Sequence, residues 1–297
     1  MIPQVVGNRE ARTTGFPWCA LLSASPSSPP FRRLTRVIVD GSTAHQWRSP
    51  PEGENSELPV LFLDIYGTCL DLQTDLPTYY LAELGRLGLR VDMTAAQAAF
   101  KSAMGIYAQQ RFSCHSAADD AAMRCVMALE ALRTVSDQEP DPANVAQLAT
   151  AFQDWGRLYR VHEDVFPALR VLRREGWRVW AFSNWDHSFG GVMVATGLAA
   201  YLDGQVTSGM LGFEKPHPRF FQQALIAAGD DECVFVGDTL EQDVLPAAEM
   251  GYRSYYVDRR DKGPWPTAGD SWLRVADLAQ LTTELRGADE GSRSSAE

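Results

Sequence analysis

The sequence predicts an α/β fold: a doubly wound, Rossmann-like parallel sheet that a helical subdomain interrupts after its first strand. Two observations predict it. From about residue 164, short apolar runs that end in turn signals alternate with amphipathic helical stretches, which is typical of buried parallel strands and their crossover helices. Between residues 77 and 160, apolar residues recur at helical spacing and no strand-like run is present. A helical insertion therefore divides the sheet domain.

The composition excludes several classes of partner. The chain has 297 residues and a net charge of -11, which disfavours binding to nucleic acids and to anionic membranes. No apolar run approaches the roughly 20 residues that cross a bilayer. The five cysteines are odd in number and form no CxxC pair, which favours a reducing, cytoplasmic location. We expect a monomer or a homodimer.

Residues 1–57 differ in character from the rest of the chain. They contain the proline- and serine-rich tracts 23–30 and 48–53. Such tracts bury too little apolar surface to offset the entropy of the chain, so we expect a disordered extension. An organelle transit peptide is the alternative, and an extension without function is favoured over it.

The first predicted strand is Val60–Leu63, and Asp64 follows it at once. Gly67, without a side chain, lets the backbone turn sharply beside that aspartate. The helical insertion is expected over residues 73–160, with helices from about Pro77 and over 94–112, 118–134 and 144–160. The catalytic core is expected over 58–72 and 161–286, and the tail 287–297 is expected to be disordered. The core elements after residue 161 are predicted as helix 164–175, strand 178–183, helix 188–196, strand 204–208, helix 215–229, strand 232–238, helix 243–251, strand 253–258 and helix 275–285.

Five polar residues fall where predicted strands end or helices begin: Asp64, Ser183, Lys215, Asp238 and Asp243. In a doubly wound sheet these places converge on one edge. Carboxylates held close together need a cation, and Mg²⁺ with its oxygen ligands suits Asp64 and Asp238. A serine hydroxyl, a lysine and the N–H groups of turns are suited to a phosphate dianion. The set predicts an aspartate nucleophile, a metal ion and an anion-binding site.

Four motifs in this order resemble the haloacid dehalogenase superfamily. They are Asp64-Ile-Tyr-Gly-Thr68, Ser183-Asn184, Lys215-Pro216 and the stretch Gly237–Asp243, and the resemblance covers about residues 58–260. It implies a C1-type helical cap over a Rossmann-like core. It also implies an Mg²⁺-dependent hydrolase that cleaves a small phosphate ester.

The resemblance also implies roles for particular residues. Asp64 would attack phosphorus and form an aspartyl-phosphate. Asp64, Asp238 and the main-chain carbonyl of Tyr66 would bind Mg²⁺, and Asp243 would support the metal directly or through water, or orient Lys215. Lys215 would neutralise charge on the transferred group. The phosphate-binding residues would be Thr68, Ser183 and Asn184.

Tyr66 departs from the pattern of the superfamily phosphatases. They carry at this position an aspartate that protonates the leaving group, so simple alkyl phosphates should react slowly here. A tyrosine is similar to the metal-independent 2-haloacid dehalogenases, but Asp238 and Phe221 do not match that branch. The metal-dependent phosphatase is favoured, with a 2-haloacid dehalogenase and a catalytically weak protein with a binding role as the alternatives.

Overall fold

The computed structural model describes residues 58–152, 155–229, 232–260, 268–269 and 271–294. The strands are β1 Val60–Leu63, β2 Leu70–Leu72, β3 Tyr159–Val161, β4 Arg178–Ser183, β5 Gly204–Thr207, β6 Cys233–Gly237, β7 Arg253–Val257, β8 Ala268–Gly269 and β9 Trp272–Val275. The helices are α1 Leu76–Arg86, α2 Met93–Gln110, α3 Ala117–Val135, α4 Pro142–Ala151, α5 Val165–Arg174, α6 Phe189–Thr196, α7 Ser208–Leu211, α8 Pro218–Ala228, α9 Leu245–Glu249 and α10 Leu278–Ser294. The predicted extension 1–57 lies outside the described residues.

Within the described residues, seven strands form one sheet in the order β5-β4-β1-β6-β7-β9-β8. Its pairs are parallel except for β8 with β9 at one edge. The central strand β1 pairs with both β4 and β6, and Leu63 lies opposite Ala181 and Val236. The carboxyl ends of these three strands therefore lie side by side.

Helices cover both faces of the sheet. Leu61 and Leu63 of β1 join one buried apolar cluster with residues of α5, α6 and α10. Val60 and Phe62 join another with residues of α8 and α9. Successive side chains of a strand point to opposite faces, so a strand buried on both sides must be apolar throughout. The doubly wound sheet is confirmed.

The helices α1–α4, called here the helical insertion, have a core of their own. Tyr80 and Leu84 of α1 pack in one buried cluster with Ala99 of α2 and Met127 of α3. All four helices begin with a side-chain cap that accepts a hydrogen bond from a main-chain N–H of the first turn, which satisfies a donor that would otherwise lack a partner. The capping residues are Asp75, Asp92, Ser116 and Asp141.

The structure corrects the expectation that residues 77–160 contain no strand. Tyr159–Val161 pairs antiparallel with Leu70–Leu72 in a two-stranded ribbon. The predicted helix 144–160 accordingly ends at Ala151, and a short 3₁₀ turn precedes the ribbon. A strand of three residues gives no period-2 pattern, so the sequence did not reveal it.

The C-terminal part also differs from prediction. Two strands, β8 and β9, were not predicted, and α10 continues to Ser294, although disorder was predicted from residue 287. Leu278, Leu281 and Leu285 anchor α10 in the buried core. Once a helix is anchored, each further residue extends it at little cost. In the described part of the chain, none of the helices has the length and apolar character needed to cross a bilayer.

Candidate functional site

The carboxyl edge of the sheet brings the predicted polar residues together. Asp64 follows β1 and Asp238 follows β6, while Ser183 is the last residue of β4. Lys215 lies in the loop before α8, and Asp243 lies in a π-helical turn before α9. The convergence follows from the parallel register, which ends β1, β4 and β6 at the same level.

Lys215 is the centre of the cluster. Its buried ammonium group donates to Asp64 Oδ1 at 2.7 Å, to Asp243 Oδ1 at 2.5 Å and to the main-chain carbonyl of Phe182 at 2.9 Å. Burial alone would lower the pKa of Lys215, but the charges of Asp243 and Asp64 outweigh it and hold that pKa above its ordinary value. The lysine is therefore a fixed positive charge beside Asp64.

The two carboxylate oxygens of Asp64 differ in their contacts. Oδ1 accepts from Lys215 and from the Ser183 hydroxyl at 3.0 Å. Among the described residues, Oδ2 accepts only the longer, 3.4 Å contact from the Thr68 hydroxyl. The buried Cys69 thiol donates to the Asp64 carbonyl at 3.3 Å, and burial raises the pKa of that thiol well above its usual range. Oδ2 is thus the oxygen with the fewer constraints.

Asn184 contacts the main chain of Lys215. Its Oδ1 accepts from the Lys215 N–H at 2.8 Å, and its Nδ2 donates to the Lys215 carbonyl at 3.1 Å. This paired contact fixes the loop from which the lysine reaches Asp64. Asn184, predicted as a phosphate-binding residue, uses its side-chain amide here to position Lys215.

Asp238 lies against Gly67, across the edge of the sheet from Lys215. Gly67 has φ +85°, and a Cβ atom built on it would lie 2.1 Å from Asp238 Oδ2. The sharp turn predicted at Gly67 is confirmed, and the missing side chain leaves the space that Asp238 fills. Burial, then the charges of Asp64 and Asp243, raise the pKa of Asp238 to about 7.

Asp243 is held at both oxygens. Oδ1 accepts from Lys215, and Oδ2 accepts from the main-chain N–H of Thr239 at 3.0 Å. A Cβ atom on Gly237 would lie 2.4 Å from the Asp243 side chain, so the glycine allows the π-helical turn to return over the strand. Burial raises the pKa of Asp243 to about 6, although Lys215 opposes the shift.

Three carboxylates form an acidic cluster. Asp64, Asp238 and Asp243 each offer an oxygen atom within 4.8 Å of the others. The three carboxylates outnumber the single ammonium group of Lys215 in this space. Burial, and then repulsion by the other two carboxylates, raise the pKa of Asp238. Hard divalent cations prefer oxygen ligands, so the cluster fits such an ion.

Tyr66 lies at the border of this cluster and is 47% exposed. Its ring makes an edge contact with Tyr159 of β3, and Tyr159 packs on Trp185 just after β4. A cavity of about 350 Å³ opens beside Asp238 and Gly67, and Arg260 is part of its lining. An aromatic wall and a polar cavity therefore flank the acidic cluster.

Sequence reasoning missed two further residues near the site. Arg124 of α3 is buried and forms ion pairs with Asp120 and with Asp186, which follows the Ser183 strand end. Arg259, just beyond β7, donates to the Thr68 carbonyl. The position of Arg259 at the carboxyl end of a predicted strand was the available signal. Arg124 gave none, because the packing of the insertion decides its partner.

The fold and the site define an α/β protein with a lysine-bridged acidic centre at the carboxyl edge of its sheet. The family model described as haloacid dehalogenase-like hydrolase matches residues 58–251. The chain belongs to this family of hydrolases.

Two relatives and one solved structure are similar to the chain. A phosphoserine phosphatase of Thermus thermophilus is 33% identical over 47% of this chain and 57% of its own length. A glyceraldehyde 3-phosphate phosphatase of Methanopyrus kandleri is 30% identical over 41% of this chain and 54% of its own length. The chain thus spans just over half of either relative. The structure of a 2-haloacid dehalogenase of Pseudomonas syringae matches with a TM-score of 0.55 and 20% identity, over 77% of this chain and 98% of that one, and supports the fold alone.

Proposed function

We propose that the protein is an Mg²⁺-dependent phosphatase that transfers the phosphoryl group of a small phosphate ester to Asp64 and then hydrolyses the aspartyl-phosphate. The observation that carries the proposal is the acidic cluster beside a buried lysine. Three carboxylates beside a single lysine repel a phosphate dianion unless a further cation is present. Two of the similar proteins are phosphatases, which supports the proposal.

The residues proposed to hold Mg²⁺ are Asp64, Asp238 and the main-chain carbonyl of Tyr66. The ion would stabilise the negative charge of the phosphoryl oxygens when it is bound. Asp243 is proposed to act mainly through Lys215, because both of its oxygens already accept hydrogen bonds from the protein.

In the proposed first step, Asp64 Oδ2 attacks phosphorus. A bond forms between this oxygen and phosphorus while the ester P–O bond breaks, and the electron pair leaves with the ester oxygen. Lys215 and the hydroxyls of Ser183 and Thr68 would donate to the phosphoryl oxygens. In the second step, water attacks phosphorus, and phosphate and the free carboxylate of Asp64 are released.

Tyr66 limits the kind of ester that reacts quickly. An alkoxide needs a proton as it leaves, and general acid help contributes roughly 10²–10⁴ in rate. Burial, then the charge of Asp71, raise the pKa of Tyr66 above its ordinary value, so its phenol is a weak acid. We therefore propose that esters with good leaving groups are cleaved much faster than alkyl esters.

The helical insertion is proposed to act as a cap, residues 73–160, over a core formed by 58–72 and 161–286. Two ion pairs support this assignment. Arg124 pairs with Asp186, and Arg111 of the 3₁₀ turn after α2 pairs with Glu214, next to Lys215. The insertion thus contacts the loops that carry the site, where it can exclude water and select the substrate.

The proposal also covers the location, the partners and the assembly of the enzyme. The free cysteines of the described part of the chain, among them the exposed Cys125, suit the reducing cytoplasm. No partner beyond the small phosphate ester is proposed, and neither nucleic acid nor membrane is expected for a chain of net charge -11. A monomer or homodimer remains the proposed assembly.

The test is hydrolysis of an aryl phosphate and an alkyl phosphate, with Mg²⁺ and with EDTA. Asp64→Asn keeps the shape of the side chain and removes the nucleophile. Asp137→Asn, at an exposed aspartate after α3, is the matched control. We expect Mg²⁺-dependent cleavage of the aryl ester by the wild type and the control, and its loss in Asp64→Asn.

Two results would contradict the proposal. Halide release from 2-chloropropionate that persists in EDTA would identify a dehalogenase instead. Absence of both activities in a folded protein would favour a binding role.

A further inference from the structure

Arg259 joins two parts of the core beside the site. Its Nε and Nη2 donate to the main-chain carbonyl of Thr68 at 2.9 and 2.6 Å. Its Nη1 and Nη2 also donate to the two carboxylate oxygens of Asp164 at 2.9 and 3.0 Å. Asp164 in turn accepts from the N–H of Leu278 at the start of α10 at 2.8 Å. The guanidinium group is thus fixed between a loop carbonyl and an anchored carboxylate.

The carbonyl that Arg259 binds belongs to the Asp64 loop, residues 64–69. Within these six residues lie the side chain of Asp64, the carbonyl of Tyr66 and the hydroxyl of Thr68. Cys69 and Leu70 donate their N–H groups to the Ile65 carbonyl, so the loop is a tight turn. A movement at Thr68 therefore displaces the other groups of the loop.

The same bridge lies at the base of the helical insertion. Thr68 comes two residues before β2, and Asp164 comes three residues after β3. These strands are the connections between the insertion and the core, and they pair with each other. The Arg259 bridge, meaning Arg259 with Thr68 and Asp164, ties together the core ends of both connections.

We propose that Arg259 is a positioning residue of this site, which keeps the Asp64 loop in its binding geometry where the insertion joins the core. The proposal rests on the proposed function. A planar guanidinium donates along fixed directions to two acceptors at once, whereas a lysine ammonium is a point charge on a flexible stem. Arg259→Lys therefore keeps the charge and loses the bridge.

The chain offers a matched control. Arg173 at the end of α5 also donates to a main-chain carbonyl, that of Tyr201 at 2.9 Å, and to both carboxylate oxygens of Asp203 at 2.8 Å. Asp203 accepts from the N–H of Val179, near the start of β4, so this bridge lies at the amino edge of the sheet. Arg173→Lys makes the same chemical change away from the site.

The experiment compares wild type, Arg259→Lys and Arg173→Lys in three measurements. These are the urea midpoint, the Kd for Mg²⁺ by calorimetry without substrate, and kcat and KM for an aryl phosphate. For Arg259→Lys we expect a Kd raised and a kcat lowered by about 10–100-fold, the usual effect of removing a supporting contact, with KM changed by less than about threefold. Arg173→Lys should leave the Kd for Mg²⁺ and the kcat unchanged. Asp164→Asn leaves Arg259 in place and weakens the other side of the bridge. It should also raise the Kd and lower the kcat, by a smaller factor.

Each outcome decides the proposal. It is overturned if Arg259→Lys keeps the wild-type Kd and kcat, or if both lysine variants lose activity in proportion to a lower urea midpoint. If the wild type binds Mg²⁺ but cleaves no phosphate ester, the phosphatase proposal fails and the Kd comparison still decides the role of Arg259. If the wild type binds no Mg²⁺, both proposals fail.

Discussion

Gly67→Ala is the substitution that most directly tests whether the acidic cluster binds a metal. The added Cβ would lie 2.1 Å from Asp238 Oδ2 and 2.8 Å from Oδ1. Ordinary contacts between nonbonded heavy atoms are about 3.5 Å or longer, so the carboxylate must retreat by about 1.4 Å or the loop must shift. Metal–ligand distances tolerate changes of only about 0.2 Å. Loss of a weaker, supporting contact already raises a metal Kd by about 10–100-fold, so the Kd for Mg²⁺ should rise by this factor or more.

The backbone of Gly67 adds a second cost that a control can separate. An alanine at φ +85° is strained by about 1–2 kcal/mol. Gly88, after α1, has φ +79° with no atom within 4 Å of a built Cβ, so Gly88→Ala is subject to the same strain without the collision. Urea unfolding should show a similar backbone loss in both, and calorimetry should show weakened Mg²⁺ binding in Gly67→Ala alone. Wild-type Mg²⁺ affinity in Gly67→Ala would refute the placement of Asp238 as a ligand.

Three further predictions concern pH, the leaving group and the insertion. Because the pKa of Asp238 is raised from 3.8 to about 7, the folded state holds this proton more tightly than the unfolded state, and metal-free stability should fall as pH rises from about 4 to 7 and stay low above it. At pH 8, Asp238→Asn should therefore raise the free energy of unfolding by up to about 4 kcal/mol, seen as a higher urea midpoint, while Mg²⁺ binding is lost. An unchanged midpoint would contradict the pKa shift. Tyr66→Asp should raise the kcat for an alkyl phosphate by up to about 10²–10⁴-fold and leave the kcat for an aryl phosphate little changed. Equal effects on both esters would show that the missing acid does not limit the rate of alkyl ester cleavage. Arg124→Met leaves the buried Asp120 and the partly buried Asp186 without their cation and should cost about 3–5 kcal/mol in urea unfolding. The exposed Arg133→Met should cost less than about 1 kcal/mol, and equal small losses would count against the ion pairs of Arg124.

The parts of the site that follow from strand order could be predicted from the sequence. Asp64, Ser183 and Asp238 each end an apolar run, and parallel strands bring such ends together whatever the loops do. The contact of Asn184 with the main chain of Lys215 could not be predicted in this way, because it depends on the path of a loop 31 residues further along the chain. Local patterns encode periodicity and turns, but not which side chain a returning loop will meet.

The same limit explains what was missed in the rest of the fold. Strand β3 has three residues, too few for alternation to show. Arg124 lies on a helix whose sequence has an ordinary amphipathic pattern. The burial of Arg124 depends on how the insertion packs against Asp186. The C-terminal helix runs past Gly287 because anchored leucines upstream outweigh the local cost of glycine.

The two aspartates of the last motif take different parts because their surroundings differ. Asp243 has a donor at each oxygen, Lys215 and the Thr239 N–H, so its charge serves to fix the lysine. Asp238 instead lines the cavity and lies against Gly67, and burial followed by the charges of Asp64 and Asp243 raises its pKa. A cation relieves that repulsion most where a carboxylate is least compensated by the protein. The position most in need of a metal is therefore Asp238, while Lys215, which Asp243 holds in place, donates to the Asp64 carboxylate beside it.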